Sequence, residues 1–253
     1  MRLLGLALGL CFFVAAAPAT ERPLPNQEAL AWQALVQSLP SDQVLELTTA
    51  EDEVFFGLWL VAERPQARGN LLLLHGDGQH PHWPQGMAPL REQLSRHGWN
   101  TLSIQLPADL MRANAQTQNR VEQRLQAAWG HLDTPDLLIL QGAAIYQAMD
   151  WMADRLPADL PLVLLHAEVP QVAQTTELAN LLQTWDNRPL LDIYDGRRSD
   201  QRVWAEERAR AYRRAGNRRA EPMALSMDPM DRGHQADRWL GQRVEGWLRR
   251  LDD

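Results

Sequence analysis

The chain has 253 residues and a formal net charge of -7, and all of its basic residues are arginines. This acidic balance argues against a nucleic-acid partner, because binding to a phosphate backbone requires a surplus of positive charge. Cys11 is the only cysteine, which excludes a disulfide within the chain and a site built from several cysteine ligands.

Residues 1 to 19, MRLLGLALGLCFFVAAAPA, predict a secretory signal peptide. Arg2 supplies a basic start, an apolar run follows, and the small side chains of Ala17 and Ala19 suit cleavage after Ala19. A retained membrane anchor is the alternative, although the apolar run is short for a bilayer. Cleavage would remove Cys11 and leave no transmembrane segment, so we expect an exported protein of the bacterial periplasm.

The rest of the sequence predicts a short N-terminal segment and one domain. Residues 20 to 42 contain a polar stretch and a short helical pattern, and residues 43 to 62 predict two strands joined by the acidic turn AEDE. Beyond them, short apolar runs alternate with helices of period 3.6. Such an alternation is typical of a buried parallel sheet, and we therefore assign residues 43 to 253 to a single α/β domain.

The order of these elements matches the α/β-hydrolase layout. We expect a three-layer sandwich with a mostly parallel central sheet of about eight strands and an antiparallel strand pair at its N-terminal side. In such a sheet the carboxyl ends of the parallel strands meet at one edge, where ligands bind. Enzymes with this layout carry a nucleophile, an acid and a histidine at that edge, in that chain order.

Two of these three catalytic positions are filled by suitable residues. The nucleophile elbow, usually G-x-S-x-G, corresponds to the turn QGAAIYQ. With Gly142 as the first glycine, Ala144 stands where the serine is expected, and a methyl group cannot attack a carbonyl. Asp195 follows the next-to-last strand, with Asp200 as the alternative acid, and His234 precedes the final helix. The sequence therefore predicts a remnant of a triad that lacks its nucleophile.

Two serines are candidates for a displaced nucleophile. Ser103 lies in the strand pattern TLSIQL, and Ser226 lies in MALSM, shortly before His234. Because both positions fall inside strand patterns, a buried structural role is the favoured interpretation for each.

The segment LLLLHGDGQHPHW, residues 71 to 83, follows the predicted central strand into a glycine-containing loop. Its H-G-D-G stands where hydrolases carry an oxyanion loop, whose glycines let backbone N–H groups approach a substrate oxygen. Together with the elbow, this loop predicts a ligand pocket. The predicted pocket residues are His75, Gly76, Asp77, Gly78, Trp83, Gly142 and Ala143.

The same loop raises the alternative of a metal site. Its candidate ligands are His75, Asp77, His80 and His82, and imidazole and carboxylate groups suit zinc. Against a metal, Pro81 stiffens the spacing, no H-E-x-x-H pattern occurs, and no distant further ligand can be identified. We therefore predict neither a metal nor another cofactor.

Residues 197 to 219 carry nine arginines against three acidic residues. One interpretation is a docking face for an acidic protein partner or an anionic lipid. The residues of this predicted arginine face are Arg208, Arg210, Arg213 and Arg214. The alternative is an ordinary solvated helix in a protein that uses arginine in place of lysine.

Four segments of the chain resemble a bacterial family of α/β-hydrolase-like proteins, domain of unknown function 3530. They are LLLLHGDGQHPHWPQGMAPLREQLSRHGWNTLSIQLP, the turn at Gly142, PLLDIYDG and DRGHQADRW, and the first is the most specific. The resemblance extends over about residues 45 to 250. It implies a secreted protein with a single α/β-hydrolase domain and no established activity, and fold alone does not specify a function.

The preferred hypothesis is an exported α/β-hydrolase-fold protein without the serine-hydrolase reaction. It would bind a small envelope ligand in the pocket or an acidic partner on the arginine face. The alternative is a periplasmic esterase or amidase that uses a displaced nucleophile or a metal-activated water. A third interpretation is an interaction protein that has no pocket.

Overall fold

The computed structural model describes residues 27–108, 110–111, 114–168, 172–185, 187–225 and 235–252, so the predicted signal peptide lies outside it. The strands are β1 Val44–Thr48, β2 Val54–Leu60, β3 Gly69–Leu74, β4 Trp99–Ile104, β5 Leu137–Gln141, β6 Leu162–Leu165, β7 Leu190–Asp195 and β8 Ala220–Leu225. The helices are α1 Gln27–Val36, α2 Met87–Arg96, α3 Ala115–His131, α4 Ala144–Gln147, α5 Met149–Arg155, α6 Val172–Gln183, α7 Ser199–Ala215 and α8 Gln235–Asp252.

The eight strands form one sheet in the order β1-β2-β4-β3-β5-β6-β7-β8. Strand β2 pairs antiparallel with β1 and β4, and the pairs from β4 through β8 are parallel. This topology confirms the predicted fold class. The carboxyl ends of β3, β5, β6 and β7 consequently open on one edge of the sheet, where the loops after them come together.

The central strands of the sheet, β3 to β7, are buried on both faces, as their apolar runs predict. Along β3, Leu72 and Leu74 contact one core, which packs against α3 to α7. Leu71 and Leu73 point to the opposite core, which packs against α2 and α8. Since successive side chains of a strand face opposite sides, a strand covered by helices on both sides must be apolar throughout.

Helix α1 lies across the antiparallel side of the sheet. The rings of Trp32 and Phe56 stack with their centroids 4.9 Å apart, and Trp32 and Leu35 form a small apolar cluster with Leu58. At the other end of α1, Glu28 pairs with Arg124 of α3 at 2.8 Å. The helix is therefore anchored by apolar packing and by an ion pair.

Arg208 is not part of an exposed arginine face, and the prediction that placed it there is wrong. Its Nε and Nη2 atoms donate to the Asp192 carboxylate at 2.8 and 2.9 Å, and the Tyr212 hydroxyl donates to the same carboxylate at 2.9 Å. All three side chains are buried. The other three predicted face residues are exposed, namely Arg210, Arg213 and Arg214. For these three, docking of an acidic partner stays a prediction.

Helix α8 packs through one apolar stripe that contains Leu240, Val244 and Trp247. Trp239 is 60% exposed, because it precedes the first stripe residue and therefore points about 100° away from it around the helix. Within the described part of the chain, no helix combines the length and apolar character needed to span a bilayer.

Candidate functional site

The sharp turn between β5 and α4 is centred on Gly142. Its φ of 58° lies in the left-handed region, which glycine adopts without the steric penalty that a Cβ brings. The Gly142 N–H donates to the Leu165 carbonyl of β6 at 2.9 Å. Ala143 already has helical backbone angles, with φ of -69° and ψ of -17°. The chain therefore changes direction at one residue, and that residue is Gly142.

This geometry corrects the predicted nucleophile position. Ala144 is fully buried inside α4, whereas the strained residue of a nucleophile elbow stands at the turn itself. The motif spacing matched Gly142 to the first glycine of G-x-S-x-G, two residues before the serine, but its backbone takes the serine's own place. The conclusion about chemistry is unchanged, because neither Gly142 nor Ala144 carries a reactive oxygen.

A carboxylate borders the space that a nucleophile side chain would occupy. A Cβ atom built on Gly142 would lie 3.3 Å from the Cα of Gly76 and 3.8 Å from Oε2 of Glu168. The first distance shows how closely the loop after β3 approaches the turn. The second shows that the loop after β6 brings an acidic group to the site.

A cavity of about 230 Å³ opens beside Gly142 at the carboxyl edge of the sheet. Its walls come from the loops after β3, β5, β6 and β7 and from the start of α7. The residues that line it are Gln79, Trp83, Gln85, Gln141, Gly142, His166, Glu168, Asp195, Arg198 and Gln201. Most of these residues are polar, and Trp83 is the one lining residue with a large, mostly apolar aromatic ring.

Two buried polar atoms in the walls of this cavity have no hydrogen-bond partner among the described residues. One is Oε1 of Gln141, whose Nε2 donates to the Gln85 carbonyl at 3.2 Å. The other is Nδ1 of His166. Burial lowers the pKa of His166, although Gln201 and Asp195 oppose that shift, so the imidazole is neutral near pH 7. Buried polar groups are rarely left unpaired, and both residues line the cavity.

The charged groups of the cavity are already paired. Arg198 lies 3.2 Å from Glu168 and 2.6 Å from Asp200, and its hydrogen bond lowers the pKa of Asp200. Asp195 accepts from the backbone N–H of Arg197 at 3.0 Å, and the Arg197 guanidinium lies 3.4 Å from it. The two arginines therefore offset two of the three carboxylate charges, and Arg198 is shared between Glu168 and Asp200.

Asp195 reaches the site as predicted for a triad acid, in that it ends β7 and lines the cavity. His234 and Ser226 lie outside the described residues, so their pairing with Asp195 and the displaced-nucleophile role stay predictions. Ser103 is fully buried within β4, paired in register with Leu73, and does not line the cavity.

The predicted pocket residue His75 instead braces the loop that it begins. It is 3% exposed, its Nε2 accepts from the Leu106 N–H at 3.0 Å, and its Nδ1 lies 2.9 Å from the Gly76 carbonyl. Nδ1 must therefore carry the proton and donate it to that carbonyl. Burial lowers the pKa of His75 to about 4, so the ring is neutral and joins the ends of β3 and β4.

The backbone group expected to stabilise an oxyanion is occupied by the protein itself. The Gly76 N–H donates to Oε1 of Gln79 at 3.0 Å. The next side chain, Asp77, accepts at its Oδ1 from the Met111 N–H at 3.0 Å. An oxyanion hole requires donors aimed at the substrate oxygen. In this loop the Gly76 N–H is bonded to the Gln79 amide oxygen and does not point freely at a substrate.

The candidate metal ligands in the loop after β3 do not converge on a common site. Nδ1 of His82 accepts from Arg91 at 3.0 Å, and burial together with the Arg91 charge lowers the pKa of His82 to about 4. Nδ1 of His80 accepts from the His82 N–H at 3.2 Å. Among the described residues, no three His, Cys, Asp or Glu side chains are grouped as metal ligands.

The predicted pocket residues are divided between two cavities. Gly142 and Trp83 line the cavity described above, which we call the elbow cavity. His75, Asp77 and Gly78 instead line a second cavity of about 240 Å³ beneath α1. Gly76 separates the two regions, since its backbone lies against the turn at Gly142. Ala143 is fully buried.

The sequence prediction missed the three residues His166, Glu168 and Arg198 and also the four glutamines that line the cavity. The signal for the first two was their position, because HAE directly follows the strand LVLL, and the carboxyl ends of parallel strands are where ligands bind. Arg198 lies in the arginine-rich segment, where only its placement after β7 distinguishes it from its neighbours.

Comparison with known proteins identifies the family. The model of a family described as protein of unknown function, DUF3530, matches residues 14–118 and 108–250. The chain belongs to this family. A search among curated proteins returns no significant match.

Solved structures similar to this DUF3530 protein share its fold. The esterase domain of a Rhodothermus marinus protein has a TM-score of 0.59 at 14% identity, over 82% of this chain and 97% of that chain. The dienelactone hydrolase of Anabaena variabilis has a TM-score of 0.60 at 14% identity, over 82% and 98%. Est1E of Butyrivibrio proteoclasticus has a TM-score of 0.58 at 10% identity, over 81% and 99%. At these identities the likeness establishes the α/β-hydrolase fold alone.

Replacement of Gly142 by alanine tests the turn. We expect Gly142→Ala to lower the free energy of unfolding by about 1–3 kcal/mol, because the added Cβ meets a left-handed backbone and crowds Gly76. Gly130→Ala is the matched control, since it lies in α3 with no heavy atom near its Cβ position, and should be neutral or stabilising by up to about 1 kcal/mol. Urea unfolding measures both, and an equal effect of the two substitutions would contradict the assigned turn.

The brace formed by His75 predicts a dependence of stability on pH. Its folded pKa of about 4 lies below the ordinary value of 6.5, so the unfolded chain binds the proton first and stability falls as the pH drops from about 6.5 to 4. The shift corresponds to roughly 3 kcal/mol.

The control for this titration is His75→Gln, whose amide oxygen can accept from the Leu106 N–H but does not titrate. We expect the difference in unfolding free energy between wild type and His75→Gln to shrink from pH 7 to pH 4, as measured by urea unfolding at each pH. A difference that stays constant over this range would show that His75 is not buried in its neutral form.

Proposed function

We propose that this protein is an exported binding protein that uses the elbow cavity of a hydrolase fold without the serine-hydrolase reaction. The observation that carries the proposal is Gly142 at the turn where the nucleophile's backbone is expected. A hydrogen atom replaces the side chain that would attack a carbonyl. Loss of the nucleophile reduces turnover by roughly a millionfold in a measured serine protease.

The surrounding groups support binding over catalysis. The Gly76 N–H, which an acyl-transfer enzyme would direct at the substrate oxygen, is held by Gln79. The cavity nevertheless keeps two buried polar atoms, on Gln141 and His166, without protein partners in the described structure. Leaving such atoms unpaired costs about 1–3 kcal/mol each, and a bound ligand that supplies hydrogen bonds would recover this energy.

The place of action that we propose is the bacterial periplasm. This part of the proposal rests on the sequence of residues 1 to 19, with its basic start, short apolar run and A-P-A ending. After cleavage the chain would contain no cysteine, since Cys11 would be removed, and an oxidising compartment would not affect it.

A second candidate function is hydrolysis with a displaced carboxylate, and the position of Glu168 favours it. Its Oε2 lies 3.8 Å from the point where a nucleophile's Cβ would be, so the carboxylate reaches the reacting position from the neighbouring loop. A carboxylate there is able to attack a substrate or activate a water. We rank this function second, because Arg198 holds the other Glu168 oxygen in an ion pair at 3.2 Å, which restricts the carboxylate in attacking a substrate.

Reactivity with acyl substrates distinguishes the two functions. The purified chain is incubated with a fluorophosphonate probe and with p-nitrophenyl acetate and butyrate at pH 7. We expect no labelling, and ester hydrolysis no faster than that of the Glu168→Gln variant, which removes the charge but keeps the shape of the side chain.

Two results would decide against a binding protein. Fluorophosphonate labelling that disappears in His234→Ala would reveal a serine nucleophile outside the described residues. Hydrolysis that falls at least about a hundredfold in Glu168→Gln would establish the displaced carboxylate as the catalytic group.

A further inference from the structure

We propose that the elbow cavity binds a neutral, hydroxyl-rich ligand the size of one sugar ring. The proposal rests on the binding function proposed above and adds the chemical class of the ligand. Four properties of the cavity lead to it: its unpaired polar atoms, its paired charges, its single indole surface and its size.

The unpaired atoms call for a ligand that donates hydrogen bonds on one side and accepts them on the other. Oε1 of Gln141 can only accept, and Nδ1 of neutral His166 accepts or donates according to the tautomer. A hydroxyl group donates one hydrogen bond and accepts two, so adjacent hydroxyls satisfy both atoms in either tautomer. A ligand without hydroxyl or amide hydrogens would leave Gln141 unpaired.

The charges of the cavity favour a neutral ligand. Glu168 lies against Arg198 at 3.2 Å, and Asp195 lies against Arg197 at 3.4 Å. An ionised ligand would lose its hydration and meet carboxylates and guanidinium groups that are already paired with each other. Hydroxyls carry no charge that must be desolvated, and they are able to donate to a carboxylate oxygen or accept from a guanidinium N–H.

Trp83 adds the apolar part of the recognition. The indole lines the cavity, and the ring of His80 contacts it edge-on with the centroids 5.3 Å apart, which fixes its orientation. The C–H faces of a sugar ring carry a slight positive charge and pack against the negative face of an aromatic ring. Trp83 therefore suits a ligand that is polar at its edge and apolar on its face, as a pyranose is.

The size of the cavity limits the ligand to about one ring. Its volume of about 230 Å³ lies below the roughly 300–1,000 Å³ typical of sites for drug-sized molecules. A monosaccharide, or a single terminal sugar of a longer chain, fits this limit.

Ligand-observed NMR and isothermal titration test the proposal with D-glucose, D-galactose and N-acetyl-D-glucosamine as neutral sugars. Acetate and ethanolamine serve as ionised probes of small size. We expect at least one sugar to bind, with an affinity at least tenfold above that of either ionised probe. In Gln141→Leu, the loss of the buried acceptor should weaken sugar binding about tenfold.

Two further variants locate the binding. Gln116→Leu makes the same chemical change on the exposed surface of α3 and should leave the affinity unchanged. Trp83→Leu should also weaken binding, and it keeps the test decisive if Gln141→Leu does not fold.

The outcomes separate this proposal from the proposed function. Tighter binding of acetate or ethanolamine, lost in Gln141→Leu or Trp83→Leu, would overturn the sugar class and leave a binding protein. Sugar binding that is unaffected by both of these variants would overturn the assignment to the elbow cavity. If none of the three sugars binds, the proposed ligand class is wrong. If the proposed binding function is wrong and the protein is an enzyme, the p-nitrophenyl ester assay will show turnover, independently of the sugar titrations.

Discussion

The arrangement of the site depends on the close approach of two glycine backbones, Gly142 and Gly76. A Cβ on Gly142 would lie only 3.3 Å from the Gly76 Cα, and the φ of 58° at Gly142 is one that other residues adopt with strain. These two conditions let the loop after β3 lie directly against the turn after β5. The hydrogen bond from Gly142 to Leu165 then ties the same turn to β6, so that three strand ends are fixed relative to one another.

The same turn is the reason why we propose ligand binding at this site and not a reaction. An α/β hydrolase uses the strained turn to present a reactive side chain at the edge of the sheet, and here the same turn presents none. The space in front of Gly142 is instead bordered by Glu168 and by the unpaired atoms of Gln141 and His166. A scaffold that places polar groups on rigid strand ends can recognise a ligand whether or not it carries a nucleophile.

The sequence predicted the fold from the spacing of apolar runs, because a strand buried on both faces must be apolar throughout, as Leu71 to Leu74 are. It also placed Asp195 at the right strand end. It misplaced the elbow, since motif spacing does not reveal which residue has positive φ. It missed Glu168, whose relation to Gly142 arises only when β5 and β6 pair. Arg208 was misassigned because its buried partner, Asp192, lies on a different element.

The central claim is that the space in front of Gly142 receives a ligand without forming a covalent bond to it. A crystal structure of the full chain soaked with an activated acyl donor tests this claim most directly. The account predicts that no protein atom lining the elbow cavity carries an acyl group. An acyl group bonded to Glu168, or to a hydroxyl from outside the described residues that reaches this cavity, would contradict it.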